Sequence, residues 1–201
     1  MGHLPMRIFS SLLMVTMTGM LPIELQGQSA QPISLQVSGL FNGVFGNSFT
    51  GMKDGVGAEA QIRYTPSAFS VGAGFEYTNH GFEGRPEDIR LYGGFVEPRY
   101  RIHAGSNVVA PYISARFSLL KVGFSGGDLS LTSSFIQLNG GGGLLFRLHS
   151  RLNLDVGATF GYNRLGNGTL SSKAGAGSVP VESSSGSNVV IRVGMAIGLG
   201  G

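Results

Sequence analysis

From Ile33 onward the chain alternates apolar and polar side chains in segments of about ten to thirteen residues. Alternation with a period of two puts each set on its own face of an extended strand. In the first segment Ile33, Leu35, Val37, Gly39, Phe41, Gly43 and Phe45 oppose Ser34, Gln36, Ser38 and Asn42. The second sets Val56, Ala58, Ala60, Ile62 and Tyr64 against Gly57, Glu59, Gln61 and Arg63. The third sets Phe69, Val71, Ala73, Phe75 and Tyr77 against Ser70, Gly72, Gly74, Glu76 and Thr78. The last four repeat the scheme, with Arg116 on the polar face of 111–119, Asn139 and Arg147 in 136–147, Asp155 in 154–163, and Arg192 in 189–199. The fourth, 89–102, is less regular. There Val96, Pro98, Tyr100 and Ile102 oppose Glu97, Arg99 and Arg101, but Ile89 and Leu91 are out of phase, and a bulge at Gly93-Gly94 is expected to repair the register.

Short connections at 65–68, 103–107 and 149–151 alternate with long ones at 46–55, 79–88, 122–132 and 163–188. An even number of strands with one short-turn end and one long-loop end predicts an all-β fold, an eight-stranded antiparallel up-and-down barrel. Alternation alone leaves open which face meets the surroundings. The polar faces carry Glu59, Arg63, Glu76, Glu97, Arg99, Arg101, Arg116, Arg147, Asp155 and Arg192. An arginine turned to hydrocarbon near a bilayer midplane costs roughly 2 to 4 kcal/mol, so in a membrane these charges point inward and must neutralise one another.

In a soluble carrier of lipocalin type the same polar face would be the outer surface, yet glycine and serine dominate it and its strands place no lysine there. Composition favours the membrane reading. Charged residues make up 12% of the chain and 34 residues are glycine, against about 25% charged and about 7% glycine in soluble domains. Phe41, Phe45, Phe75, Tyr77, Phe117, Phe160 and Tyr162 gather towards the long-loop end, and Tyr64, Phe69, Tyr100 and Phe146 towards the short turns. Two aromatic belts are therefore expected. Eleven residues at about 3.3 Å each, tilted about 40°, rise roughly 27 Å, close to the apolar band of an outer-membrane barrel.

The first thirty residues read differently. His3 and Arg7 precede an apolar stretch from Ile8 to Ile23, and small residues end the segment at Ser29-Ala30. This predicts a secretory signal over 1–30 and one barrel domain over 31–201. The formal charge of +3, with basic and acidic residues interleaved, gives no nucleic-acid footprint. Absence of cysteine excludes disulfides and thiolate metal sites.

On Gly94-Phe95-Val96-Glu97-Pro98-Arg99-Tyr100, on Pro111-Tyr112-Ile113-Ser114-Ala115-Arg116 and on the patterning of the other strands, the chain resembles the small eight-stranded outer-membrane proteins of the OmpA transmembrane-domain, OmpX and opacity-protein type. The resemblance implies a monomer in the bacterial outer membrane, inserted by the barrel-assembly machinery and surrounded by outer-membrane lipid and lipopolysaccharide. It also implies loops able to meet an extracellular ligand. The chain departs from that type at Leu199-Gly200-Gly201, where an aromatic assembly signal is common.

Candidate chemistry is sparse. Catalysis of lipid A deacylation on this scaffold would need histidine, serine and a carboxylate together near the outer-leaflet end. His149-Ser150 falls in a short turn at the other end, and His80 near Glu83 is expected to be a solvated loop residue. His103 and His149 share the short-turn end without a carboxylate cluster to complete a metal site. Gly140 to Gly143 lacks the Lys-Ser or Lys-Thr of a phosphate loop and fits close packing inside a narrow barrel. Asn167-Gly168-Thr169 matches a glycosylation acceptor formally. No enzyme, cofactor or metal is expected. The expected role is structural or surface-interacting, adhesin- or receptor-like, with the glycine- and serine-rich 163–188 loop as the candidate contact. Alternatives are a small, weakly anion-selective pore, because bases exceed acids by two in the lumen set, a lipid-modifying enzyme, and the soluble carrier.

Overall fold

The structure is a computed structural model that describes residues 32–46, 49–126, 129–172, 178–181 and 183–199. The expected signal segment, 1–30, lies outside these residues. Among the described residues ten strands form: β1 Ile33–Phe45, β2 Met52–Tyr64, β3 Phe69–Phe82, β4 Arg85–Arg101, β5 Val109–Gly126, β6 Leu129–His149, β7 Leu152–Leu165, β8 Gly168–Ser172, β9 Ser178–Val181 and β10 Ser184–Leu199. Antiparallel pairing runs β5-β4-β3-β2-β1-β10-β7-β6, and a further β5–β6 pairing closes the eight long strands into a barrel. Closure leaves no edge among the eight long strands where they ring the bore, which is what hydrocarbon demands of a sheet. The small β8–β9 hairpin adds to the upper part of β6, where β8 pairs with Leu129 to Thr132 beyond the end of β7.

The in-and-out parity of the sequence holds around the barrel. Val37, Val56, Ile62, Phe75, Ile113, Leu119, Leu138, Phe160 and Val193 each expose more than half of their surface, while Gln36, Glu59, Arg63, Glu97 and Asp155 expose 2% or less. Soluble monomers rarely show contiguous apolar patches beyond a few hundred Å², so this exterior is a surface for acyl chains and the soluble-carrier alternative fails. Both aromatic belts form on it. Tyr92, 37% exposed, joins the long-loop belt.

Three expectations are corrected. No bulge forms at Gly93-Gly94: β3 and β4 stay in one register from Phe69–Tyr100 to His80–Ile89. The phase is kept because Leu91 and Phe95 turn inward and are buried, at 2% and 4% exposure. Register shifts occur instead at Met52/Gly55 and His80/Phe82. Secondly, much of the expected long loops is strand, since β4 starts at Arg85, β5 runs to Gly126 and β6 begins at Leu129. Pairing of neighbouring strands satisfies backbone groups above the membrane without needing an apolar outer face, so the ladder outlives the alternation. Likewise the 163–188 segment carries the end of β7, the β8–β9 hairpin and the start of β10. Thirdly, His80 is no solvated loop residue. It lies on β3 at 0% exposure, facing the lumen, with its ring nitrogens 3.1 Å from the Thr78 hydroxyl and 3.1 Å from the Lys53 carbonyl.

Candidate functional site: a charged cross-bar in the lumen

Inward-facing positions of seven barrel strands meet in one network, built around Glu97 of β4. Its carboxylate takes both terminal nitrogens of Arg192 at 3.0 Å each, Nη2 of Arg63 at 3.3 Å, Nε of Arg99 at 3.1 Å and Nη2 of Arg116 at 3.4 Å. β4 and β10 stand four places apart in either direction around the ring of eight, so the two-point Glu97–Arg192 contact crosses the full bore. Such fork-to-carboxylate pairs are directional as well as strong. Arg116 of β5 also binds Glu59 of β2, and meets Glu76 of β3 at 2.9 Å. Asp155 of β7 forms an ion pair with Arg99 Nη1 at 2.8 Å and accepts from the Tyr112 hydroxyl at 2.7 Å and from Gln36 Nε2 at 2.7 Å. The Tyr112 hydroxyl in turn accepts from Arg192 Nη2 at 3.1 Å.

Two aromatic rings complete the packing of the cations. The Arg116 guanidinium lies 3.8 Å from the Phe95 ring centroid, and that of Arg99 lies 4.3 Å from the Tyr112 centroid. β6 contributes space instead of charge. A Cβ at Gly143 would collide with the Tyr112 hydroxyl and the Val156 carbonyl, and one at Gly157 of β7 would strike the same hydroxyl. Substituting alanine for Gly157 is therefore expected to displace Tyr112 from Asp155 and Arg192. The cost should be about 1 to 3 kcal/mol, the usual range for overpacking, read as a lower urea midpoint of unfolding from lipid vesicles; an unchanged midpoint would show that the hydroxyl has room to move.

Of the ten charges the sequence singled out, the structure brings eight together: Glu59, Arg63, Glu76, Glu97, Arg99, Arg116, Asp155 and Arg192, all buried. Arg101 and Arg147 are half-buried at the short-turn end, and among the described residues neither joins these ion pairs. The buried set thus holds four acids and four bases and is neutral. The surplus of two bases, on which anion selectivity rested, belongs to the rim. Gln36, Tyr112 and Phe95 are members that the charge pattern does not single out, although each stands at an inward parity position on the same face as these charges.

Above the cross-bar the lumen is polar but uncharged. Asn188 links Asn139 at 3.0 Å to Asn42 at 3.2 Å. Each end holds an apolar cluster, Ala110, Tyr112 and Leu145 towards the short turns, beside the half-buried Arg101 and Arg147, and Leu91, Leu120, Val122 and Phe135 towards the long loops. His149 and Ser150 contact each other at 3.1 Å in an exposed turn, and among the described residues no group of three metal-ligating side chains forms.

A closed antiparallel barrel with an apolar exterior and its charges paired inside defines a transmembrane β-barrel of the bacterial outer-membrane type. Solved structures of that type are similar to it in fold. Neisserial surface protein A (NspA) matches at a TM-score of 0.60 with 17% identity, over 84% of this chain and 97% of that one. The outer membrane protein OprG from Pseudomonas aeruginosa matches at 0.55 with 11% identity, over 86% of this chain and 97% of that one. No protein-family model matches the sequence, and no curated protein does.

Proposed function

We propose that the protein is a closed, monomeric barrel whose role is structural and surface-interacting, and that it neither conducts solute nor catalyses a reaction. The observation that carries this reading is the Glu97–Arg192 contact across the bore, locked by Arg63, Arg99 and Arg116 on the same carboxylate. An eight-stranded interior has room for side chains and little else, and a neutral cross-bar offers a passing ion no net attraction. Outward display follows from strand length: β5 and β6, of 18 and 21 residues, exceed the roughly eleven needed to span. With β8 and β9 they form a hairpin platform above the membrane.

Planar bilayers test closure directly. The wild-type protein is expected to leave the membrane silent, whereas regular current steps that change on Arg116→Ala would establish the pore alternative. Display is tested by deleting 168–181. Bacteria expressing the shortened barrel should keep its heat-modifiable migration in gels but lose adherence to immobilised extracellular-matrix protein; equal adherence by the intact and shortened forms would reject this hairpin as the contact.

Lipopolysaccharide as the surrounding partner is supported by three exposed bases at the long-loop end of the outer wall, Arg90, Lys121 and Arg164. Lys121 pairs with Tyr92 and Arg90 with Gly123, so the two bases are diagonal neighbours across β4 and β5, about 7 to 8 Å apart. Lys121 stands beside Tyr92, and Arg90 and Arg164 one outward position beyond Tyr92 and Tyr162, at the aromatic belt, where anionic headgroups are met. Neutralising all three is expected to lower the lipopolysaccharide that co-purifies with the barrel several-fold; an unchanged amount would show that the contact is nonspecific.

A further inference from the structure

The long-loop mouth of the barrel holds an apolar cup that neither the lipid-facing exterior nor the cross-bar requires. Leu91, Val122 and Phe135, exposed by 2%, 6% and 1%, form part of its wall, with Ile89 and Met52 packed against them. Phe49, from the connection between β1 and β2, reaches across the mouth to meet the Phe135 ring of β6 edge-on, centroids 6.1 Å apart. The cup is open on one side and measures about 200 Å³, and among its described lining residues Thr50 alone carries a polar side chain.

Three features separate it from a simple lid. Its residues break the alternation that lipid imposes, because Ile89 and Leu91 occupy inward positions that lower in the same strand are held by Glu97 and Arg99. A lid made only to close the bore would pack to the density of a protein interior, yet here about 200 Å³ is left. Open on one side, the cup admits water, but water against such a lining finds few hydrogen-bond partners and is displaced favourably by an apolar group.

We propose that this cup binds the apolar end of a small uncharged molecule arriving from the long-loop side, an aromatic ring or an alkyl chain of about six carbons. The volume lies below the 300 to 1,000 Å³ of drug-sized sites, which limits the occupant to a fragment of that size. A carboxylate on the ring is disfavoured, since full entry would draw it from water against leucine and phenylalanine. The site is for capture and not for passage, because the polar lumen and the neutral cross-bar lie beneath it. It goes beyond the surface-interaction role and stands whether or not the hairpin platform has a ligand.

The test uses the folded full-length barrel in phospholipid nanodiscs with labelled isoleucine, leucine and valine methyls, titrated with toluene and, separately, with benzoate. Toluene is expected to shift the methyls of Ile89, Leu91, Val122 and Leu165 saturably, while Ile113 and Leu138 on the outer wall respond in proportion to toluene dissolved in lipid. Benzoate should shift neither group. Val122→Trp fills the cup and should weaken saturable binding at least tenfold with heat-modifiable migration retained. Should that variant not fold, Leu165→Phe, at the half-buried edge of the cup, reads the same effect. Unsaturable shifts in the cup methyls, equal affinity in the filled variant, or equal binding of benzoate would each overturn the proposal.

Discussion

Replacing Glu97 with alanine is expected to be among the most damaging single changes in this chain. The carboxylate is fully buried and lies within 3.4 Å of Arg63, Arg99, Arg116 and Arg192. Deleting it leaves those arginines facing one another with Glu59, Glu76 and Asp155 as the remaining acids. Breaking a buried ion pair from one side costs about 3 to 5 kcal/mol, because the partner stays buried and unpaired. Arg101→Ala, at the short-turn rim and outside the network, should stay within about 0.5 kcal/mol of wild type, as surface changes do. Urea titration of the barrel in lipid vesicles, followed by the folded band in unboiled gel samples, measures both. A Glu97→Ala midpoint equal to that of Arg101→Ala would mean that water already screens the cross-bar. The same variant removes the strut across the bore, so in planar bilayers it should produce current steps that the wild type lacks.

The pairings behind that prediction were not readable from the chain. Glu97 and Arg192 are 95 residues apart, and which inward charge faces which is decided by strand order, register and closure. Parity, by contrast, was readable, because a two-residue period is imposed locally wherever one face meets lipid. That is why Glu59, Arg63, Glu76 and Asp155 could be assigned to the lumen residue by residue. Parity gave out where lipid stops acting. Above the belt, β5 and β6 continue as paired strands through Ser130 and Ser125, and with no apolar requirement on their outer face the segment reads as loop. The phase break at Ile89 and Leu91 was visible but misassigned. A bulge and an inward apolar cluster leave the same trace in the sequence, and the cluster's other walls, Val122 and Phe135, come from strands whose upper ends could not be placed. Tyr112 shows a further limit: an apolar-looking ring at a polar position becomes a hydrogen-bonding hub only when Gly143 and Gly157 are brought beside it.

Adjacent residues on β10 offer the sharpest test of the inside-out arrangement. Arg192 is 3% exposed and lies in the bore, whereas Val193 is 51% exposed and lies mid-way along the outward series from Val189 to Leu199. Val193→Arg should therefore destabilise the barrel in a bilayer by about 2 to 4 kcal/mol, the cost of a base near the midplane. Leu148→Arg, on an equally outward residue near the short-turn end that is 56% exposed, should cost about 0 to 1 kcal/mol, because the penalty falls away towards the interface. Depth is the variable that separates the two, since exposure is nearly the same. In a soluble barrel both substitutions would be benign, as each would add a charge to a wetted surface. Unfolding midpoints in vesicles that are equal for the two variants would remove the apolar wall from the hydrocarbon. A large loss for Val193→Arg with a small one for Leu148→Arg would fix both the wall and the height at which the membrane crosses it.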